Sequence, residues 1–377
     1  MKVAIVLDSL VRGGAERQAL YALGEMTRQG RDVELLYYNE AKYAYPPDFG
    51  GGGRVTRIEK RGQYLRFLGR LIKKFRQERY DVVHGFVPGS SIYAVLAAWI
   101  ARVPVIFGGV RAEYDMGGLV RLSHRVVDQL ATGWIVNSQA TVRSMLPAIG
   151  ATPDRIHVVY NGIDPAVFRS NLSAAEAKRK LGIAEYSPVI TVLARLEPQK
   201  NIALFLRAAV ATHAVRSQTR FLIAGDGSLR GELQRQCHEL GLDGIMQFLG
   251  NRPDVADVLR ATDLLALTST YEGLSNTLLE AMSVGLPVVS TAYLGIDELI
   301  RDGEQGFVVP LNDCDALVRR FVQLLDDPSL RSSMGQAGND TVLRRFTIAG
   351  MAARLYEVYG EAFARVANRR SMEPKVA

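Results

Sequence analysis

Short, β-rich apolar runs alternate along the chain with amphipathic stretches of helical period. In the first half the runs are Val3–Ser9, Val33–Tyr38, Asp81–Phe86, Val105–Val110, Gly133–Ser138 and Ile156–Tyr160. In the second half they are Val189–Arg195, Arg220–Gly225, Met246–Gly250, Asp263–Ser269, Pro287–Thr291 and Gly306–Val309. Apolar strands separated by helices predict an α/β protein with parallel sheets joined by helical crossovers. Two such sheets are expected, with a junction between Asn161 and Asn171, where NGIDP signals a turn and polar residues follow. This gives a first domain over 1–165, a second over 166–347, and a last helix, 348–370, set off by Phe346 and Thr347.

A length of 377 residues exceeds what one core usually sustains and agrees with two domains. Cys237 and Cys314 have none of the spacings of a disulfide or zinc framework, so a reducing, cytoplasmic setting is expected. The opening VAIVL is too short for a signal-peptide core and runs into Asp8, and no apolar stretch approaches the length of a membrane span.

Residues 270–285 read TYEGLSNTLLEAMSVG. Glu272 and Glu280 stand eight positions apart, with Gly273, Ser275 and Asn276 between them and the helical run Leu278, Leu279, Ala281 and Met282 around the second. A polar turn opening into a helix leaves first-turn N–H groups unpaired, which makes an anion cradle. A carboxylate further along can accept hydrogen bonds from a vicinal diol, and one in the loop from a second polyol. Phosphate, ribose and sugar together describe a sugar nucleotide.

This segment resembles the E-x7-E motif of glycosyltransferase family 4, the retaining glycosyltransferases of the group 1 type, and further motifs follow in the family's order. VAIVLDSLVRGGAERQ is a strand running into a Gly-Gly turn; VVYNGID (158–164) is similar to the strand-to-linker junction, and VLARLEPQKN (192–201) to G-R-L-x-x-x-K-N, with Ala194 in the glycine's place. IAGDGSLRGEL (223–233), FLGNRPDVADVLRATDLLALTS (248–269) and GLPVVST (285–291) complete the series. The resemblance implies the GT-B fold: two Rossmann-like domains facing across a cleft, with the C-terminal helix crossing back to the first.

In open α/β sheets ligands bind beyond the carboxyl ends of the strands, where Gly13, Gly14, Arg195 and Lys200 fall. Glycines there let backbone approach a diphosphate or a sugar. Breaking a sugar–phosphate bond leaves negative charge on the departing diphosphate, and a guanidinium and an ammonium can stabilise it without a metal. Surface charges are the ordinary fate of an Arg/Lys pair, but this one directly follows a strand inside a motif. By resemblance Arg195 and Lys200 bind the donor diphosphate, Glu280 accepts the ribose hydroxyls and Glu272 faces the transferred sugar. The same resemblance implies that the amides of Asn276, Thr277 and Leu278, after Ser275, hold phosphate oxygens, and that Arg252 lies where the family binds the base. An i,i+4 ion pair would be the structural alternative for Glu280, but neither Asn276 nor Val284 is basic.

One departure touches the chemistry. Many relatives carry a histidine after the strand matching VPVIFGG, and here Arg111 stands in its place, followed by Glu113 and Asp115. Arginine is no general base at neutral pH. Glu113 or Asp115 could orient the acceptor hydroxyl, or a same-face displacement could let the departing phosphate take the proton. His84, ending DVVH, is equally readable as a buried strand-end histidine or an acceptor-site residue.

Several other motifs fail. GDGSLRG (225–231) has Arg230 where a dinucleotide fingerprint needs its third glycine, no Walker sequence occurs, and no Asp-x-Asp ends a strand to hold a metal. Five histidines without an H-E-x-x-H array do not suggest zinc, so no metal and no cofactor are expected.

The net charge of +7 is concentrated in 60–77, where Lys60, Arg61, Arg66, Arg70, Lys73, Lys74 and Arg76 occur without an acid. Tyr64, Phe67, Leu68, Leu71, Ile72 and Phe75 recur there at helical spacing, so a helix over 61–79 has an apolar and a cationic face. It either packs on its own sheet or meets an anionic membrane surface. Nucleic acid is not expected, because no aromatic platform or groove-binding motif accompanies the charge.

These features lead to the expectation of a metal-independent hexosyltransferase moving a sugar, with retention, from a nucleoside diphosphate donor, UDP-linked by implication, to a hydroxyl of a glycan or lipid-linked saccharide. The competing readings are another GT-B activity such as a nucleotide-sugar epimerase, whose cleft would need a protein acid and base, and a non-catalytic nucleotide-sugar-binding partner.

Overall fold

The computed structural model describes the chain apart from residues 42, 43, 47, 61, 112–117 and 373–377, and apart from the side chains of 118–122, 145–149 and 369–372. It divides into two units, Met1–Gly162 with Ile348–Ala377, and Ile163–Thr347.

Among the described residues, the first unit holds a parallel sheet of β1 (Lys2–Leu7), β2 (Asp32–Tyr37), β3 (Arg54–Arg57), β4 (Val82–Gly85), β5 (Val105–Val110), β6 (Gly133–Val136) and β7 (Ile156–Val158), in the order β3-β2-β1-β4-β5-β6-β7. Side chains alternate across the sheet. Val3, Ile5 and Leu7 of β1 pack against Leu20 and Leu23 of helix Gly14–Arg28 and against Met351, Leu355 and Tyr359 of the last helix, Ile348–Met372. Ala4 and Val6 face the other layer, which contains helices Tyr64–Glu78 and Pro88–Ala101. Covering both faces explains why the strands read as apolar runs rather than as alternating ones.

β3 was not predicted. Its sequence, RVTR, has one apolar residue and exposed arginines at both ends, as suits an edge strand. Its pairing with β2 also solves a burial problem. Glu34, fully buried on β2, receives the Thr56 hydroxyl at 2.6 Å, the Lys74 ammonium at 3.0 Å, the Arg54 Nε at 3.2 Å and the Tyr80 hydroxyl. These donors hold its carboxyl below the usual range against the opposing effect of burial.

The basic helix runs from Tyr64 to Glu78. Phe67, Leu71 and Phe75 are buried in the core, so its apolar stripe belongs to the protein's own packing. Arg66, Arg70, Lys73 and Arg76 point outward, and Lys74 is spent on Glu34 and Glu78. Among the described residues, no helix is long and apolar enough to cross a membrane.

The second unit holds, among its described residues, the parallel sheet β8 (Val189–Leu193), β9 (Arg220–Ala224), β10 (Met246–Gly250), β11 (Leu264–Leu267), β12 (Val288–Thr291) and β13 (Gly306–Val309), ordered β10-β9-β8-β11-β12-β13. Its ends meet, the Ile163 N–H donating to the Phe346 carbonyl at 2.8 Å. Cys237 and Cys314 are both free.

Candidate functional site

In the second unit Arg195, Lys200, Glu272 and the helix start at Ser275 follow the carboxyl ends of β8 and β11, the two neighbouring strands at which the chain order reverses, while Arg252 follows β10 at the sheet's edge. Past β8 the chain runs through exposed Arg195 to a short 3-10 turn, Pro198–Lys200. Asn201 follows with φ +46, a left-handed conformation that asparagine tolerates, and opens helix Ile202–Val215. Past β11 a polar loop leads to Ser275, whose side chain caps helix Asn276–Ser283.

The two loops are bound together. Thr270 N–H donates to the Gln199 carbonyl at 2.9 Å, the Thr268 hydroxyl to the Lys200 carbonyl at 2.8 Å, and the Gln199 amide to the Tyr271 carbonyl at 2.6 Å. The Thr277 hydroxyl ties the new helix to the Leu193 carbonyl at 3.0 Å. The sequence did not single out Thr268, Ser269, Thr270 or Gln199; the TST run before Glu272 was the available signal.

Within this frame the Lys200 ammonium donates to Glu272 Oε1 at 2.5 Å, and the Ser269 hydroxyl to the same oxygen at 2.7 Å. Their side chains are only 15% and 10% exposed, so the pair is poorly screened by solvent. Residues 72 positions apart thus become one cation–carboxylate group whose geometry is set before any ligand arrives. Glu280 lies buried one turn beyond the helix start. Tyr293, after β12, is also buried beside this group. Its hydroxyl, which meets no partner among the described residues, is pushed well above its ordinary pKa by burial and then by the charge of Glu272.

Two expectations take a more specific form. The Leu278 amide, expected to hold a phosphate oxygen, is directed at the Ser275 hydroxyl at 3.4 Å. The Arg252 guanidinium is committed to a bidentate pair with Asp254, at 2.7 and 2.6 Å. The failed dinucleotide fingerprint has a structural role instead. A Cβ on Gly225 would stand 1.8 Å from the Ala194 carbonyl oxygen, and one on Gly227 2.5 Å from that of Leu196, so these glycines let β9's end pass against the segment bearing Arg195. Arg230, in the third glycine's place, pairs with Asp226 at 3.0 Å.

In the first unit, Gly13 precedes helix Gly14–Arg28 with extended backbone, and a Cβ there would meet Glu16 Oε2 at 2.3 Å. The buried Gln18 of the same opening motif grips Gly162 of the NGID motif through two hydrogen bonds of 2.9 Å. His84 is fully buried, its Nδ1 2.7 Å from the Tyr359 hydroxyl of the last helix. Burial, helped by the Arg111 charge, pushes its pKa well below the ordinary value, so the ring is neutral and presents no surface to an acceptor. His84 thus lies in the core at the end of its strand. Arg111 is buried against the face of Phe86 at 3.8 Å and donates to Asn161 Oδ1 at 3.3 Å. Burial lowers its pKa to about 10, which leaves it a cation at neutral pH. Glu113 and Asp115 lie outside the described residues.

Two α/β units, each with a parallel sheet, and a cation–carboxylate group at the strand ends of the second are the features of the GT-B glycosyltransferases, and comparisons of sequence and structure place the chain among them. Residues 12–167 match the model described as Glycosyltransferase Family 4, and 173–341 that of Glycosyl transferases group 1. The lipopolysaccharide core biosynthesis glycosyltransferase LpsE of Rhizobium meliloti is 30% identical over 89% of this chain and 92% of its own. The chain belongs to glycosyltransferase family 4. It is also 28% identical, over 78% of its length and 79% of the relative's, to the Escherichia coli UDP-Gal:alpha-D-GlcNAc-diphosphoundecaprenol alpha-1,3-galactosyltransferase. Among solved structures, Anabaena HepE in complex with UDP superimposes with a TM-score of 0.82 at 22% identity, over 96% of this chain and 100% of that one, which establishes the shared fold.

Proposed function

We propose that the protein transfers a hexose from a UDP-sugar to a hydroxyl of a glycan or lipid-linked saccharide, with retention and without a metal. The observation that carries this is the preorganised Lys200–Glu272 pair at the opening of the helix that bears Glu280, with Arg195 exposed on the same loop after β8 as Lys200. In this reading Arg195 and Lys200 neutralise the diphosphate as the bond from sugar C1 to phosphate oxygen breaks. The acceptor oxygen bonds to C1 on the same face, and its proton passes to the departing phosphate. Such a route needs no protein base, which suits a buried cationic Arg111 and a neutral, enclosed His84. The UDP donor and lipid-diphosphate acceptor in the E. coli relative's name, and the UDP bound by HepE, support the choice of substrates.

UDP is expected to raise the unfolding midpoint equally with and without EDTA, since binding to the folded state alone raises stability. A strict need for a divalent ion, in binding or in turnover, overturns the metal-free reading. Analysis of the product's anomeric configuration by NMR tests retention.

The free cysteines support a cytoplasmic site of action, and the outward cations of helix Tyr64–Glu78 support contact with the membrane's anionic inner face. With the apolar stripe buried, that contact is electrostatic, aided by exposed Leu65 at the helix start. Each cation near such a surface contributes about 1 kcal/mol, so changing Arg66, Arg70 and Lys73 to Glu should weaken binding to anionic vesicles by well over tenfold. Wild-type protein that ignores such vesicles at low salt removes the membrane from the picture.

A further inference from the structure

The first unit carries a concavity to which none of the donor-site motifs contributes. It lies beyond the carboxyl ends of β2 and β3, has a volume of about 390 Å³, and is lined by Tyr38, Asn39, Glu40, Arg57, Lys60 and Tyr64. It lies past the strand ends at the edge of the sheet, away from the β1/β4 point where the strand order reverses, and its size falls in the range of small-molecule sites.

Its wall is aromatic. Tyr64 is 60% exposed and lies parallel to Tyr93, their centroids 6.5 Å apart with 15° between the planes. Tyr38 braces Tyr93 edge-on at 5.9 Å and packs on buried Phe67 at 4.8 Å, so the rings are held from behind by the core. The Tyr38 hydroxyl is anchored on Asp8, past the end of β1.

Besides the ion-paired Arg57 and Glu40 the pocket carries Lys60, whose ammonium lies 4.5, 4.8 and 5.3 Å from the centroids of Tyr93, Tyr64 and Tyr38. Among the described residues this ammonium faces three rings and forms no ion pair, although its charge acts on the Asp8 carboxyl nearby. Asp8 is engaged by Tyr38, and Glu40 is engaged by Arg57. A lysine held by aromatic faces has lost rotational freedom in advance, which prepares it to receive an anion. Beside it, Asn39 and Glu40 offer hydrogen-bonding groups, and the exposed face of Tyr64 offers a flat apolar surface that matches the C–H face of a pyranose.

We propose that this pocket binds an anionic saccharide, its ring lying on Tyr64 and its negative group on Lys60, and that it thereby recognises part of the acceptor. The assignment to the acceptor rests on the transferase reading above; the binding itself does not. The anion is either a sugar phosphate or a sugar carboxylate, since an ammonium serves as a point charge for both.

The test uses the full-length protein with galactose 1-phosphate, galacturonate and galactose, followed by saturation-transfer NMR and titration at low salt. At least one of the charged sugars is expected to bind about tenfold or more tightly than galactose. Preference for the phosphate alone, or for the carboxylate alone, identifies the group recognised. Lys60→Gln should abolish the preference, and Tyr64→Ala should weaken all three sugars. UDP should raise the unfolding midpoint in both variants as in the wild type, which establishes that they fold and retain the donor site. The proposal is overturned if galactose binds as well as both charged sugars, if none of the three binds, or if Lys60→Gln keeps the preference. Loss of UDP stabilisation in the wild type would instead strike the donor reading and leave the pocket standing.

Discussion

Replacing Arg195 by alanine is expected to lower turnover by about two to three orders of magnitude, the usual cost of removing one preorganised group that stabilises developing charge. The expectation rests on position. Arg195 follows β8 directly, is exposed, and lies in a segment fixed from both sides, by Leu196 N–H donating to the Asp226 carbonyl at 3.0 Å and by Gly225 passing behind Ala194. Because the side chain carries no buried packing, the unfolding midpoint should stay close to wild type, and the UDP-induced rise should shrink without disappearing. Lys200→Ala is a less clean probe. Its partner Glu272 is 10% exposed, and losing the ammonium leaves a largely buried carboxylate with the Ser269 hydroxyl, so stability should fall together with turnover. Steady-state rates with a saturating UDP-sugar, beside thermal unfolding of each variant, separate the two cases. A well-folded Arg195→Ala protein with near-normal turnover removes the guanidinium from the leaving-group role.

The parallel α/β architecture was legible because strands buried on both faces must be apolar throughout, and Val3–Leu7 or Leu264–Leu267 can hardly be read otherwise. β3 was not, because an edge strand needs little burial, and RVTR supplies only half-buried Val55 and Thr56, on opposite faces, between exposed arginines. The charge run in 60–77 was legible as a helix, but the division of its work was not. Whether Phe67, Leu71 and Phe75 meet a sheet or a bilayer depends on what the fold places opposite them, and spacing carries no such information. The same holds at the site. The motif residues Lys200 and Glu272 could be picked out singly, whereas their direct pairing and the Ser269 hydroxyl behind it arise from loop geometry. Lys60 was visible only as one more positive charge, since its three tyrosines come from separate elements of the first unit.

Gly225→Ala should be among the most damaging single-methyl changes in the second unit. Gly225 has φ +138, a conformation that L side chains rarely adopt, and an added Cβ would stand 1.8 Å from the Ala194 carbonyl oxygen and 2.8 Å from its carbon. The nearest atoms are all Ala194 backbone, which leaves no flexible side chain to yield. The Ala194 N–H donates to the Ala224 carbonyl at 3.0 Å, and the Gly225 N–H to the Gly250 carbonyl at 2.8 Å, so relief by movement breaks strand-end hydrogen bonds. Strain and overpacking together should cost roughly 2–5 kcal/mol. Gly241→Ala provides the comparison. Gly241 has φ +68 with nothing within 4 Å of an added Cβ, so it isolates the conformational part, about 1 kcal/mol. Denaturant unfolding of both variants should show the larger loss at Gly225. Turnover measured well below the variant's midpoint should also fall, because the displaced segment is the one that aims Arg195 and leads to Lys200. Equal losses at the two glycines would mean that the β8 loop yields freely, and full turnover in a destabilised Gly225→Ala protein would mean that its position does not matter for transfer.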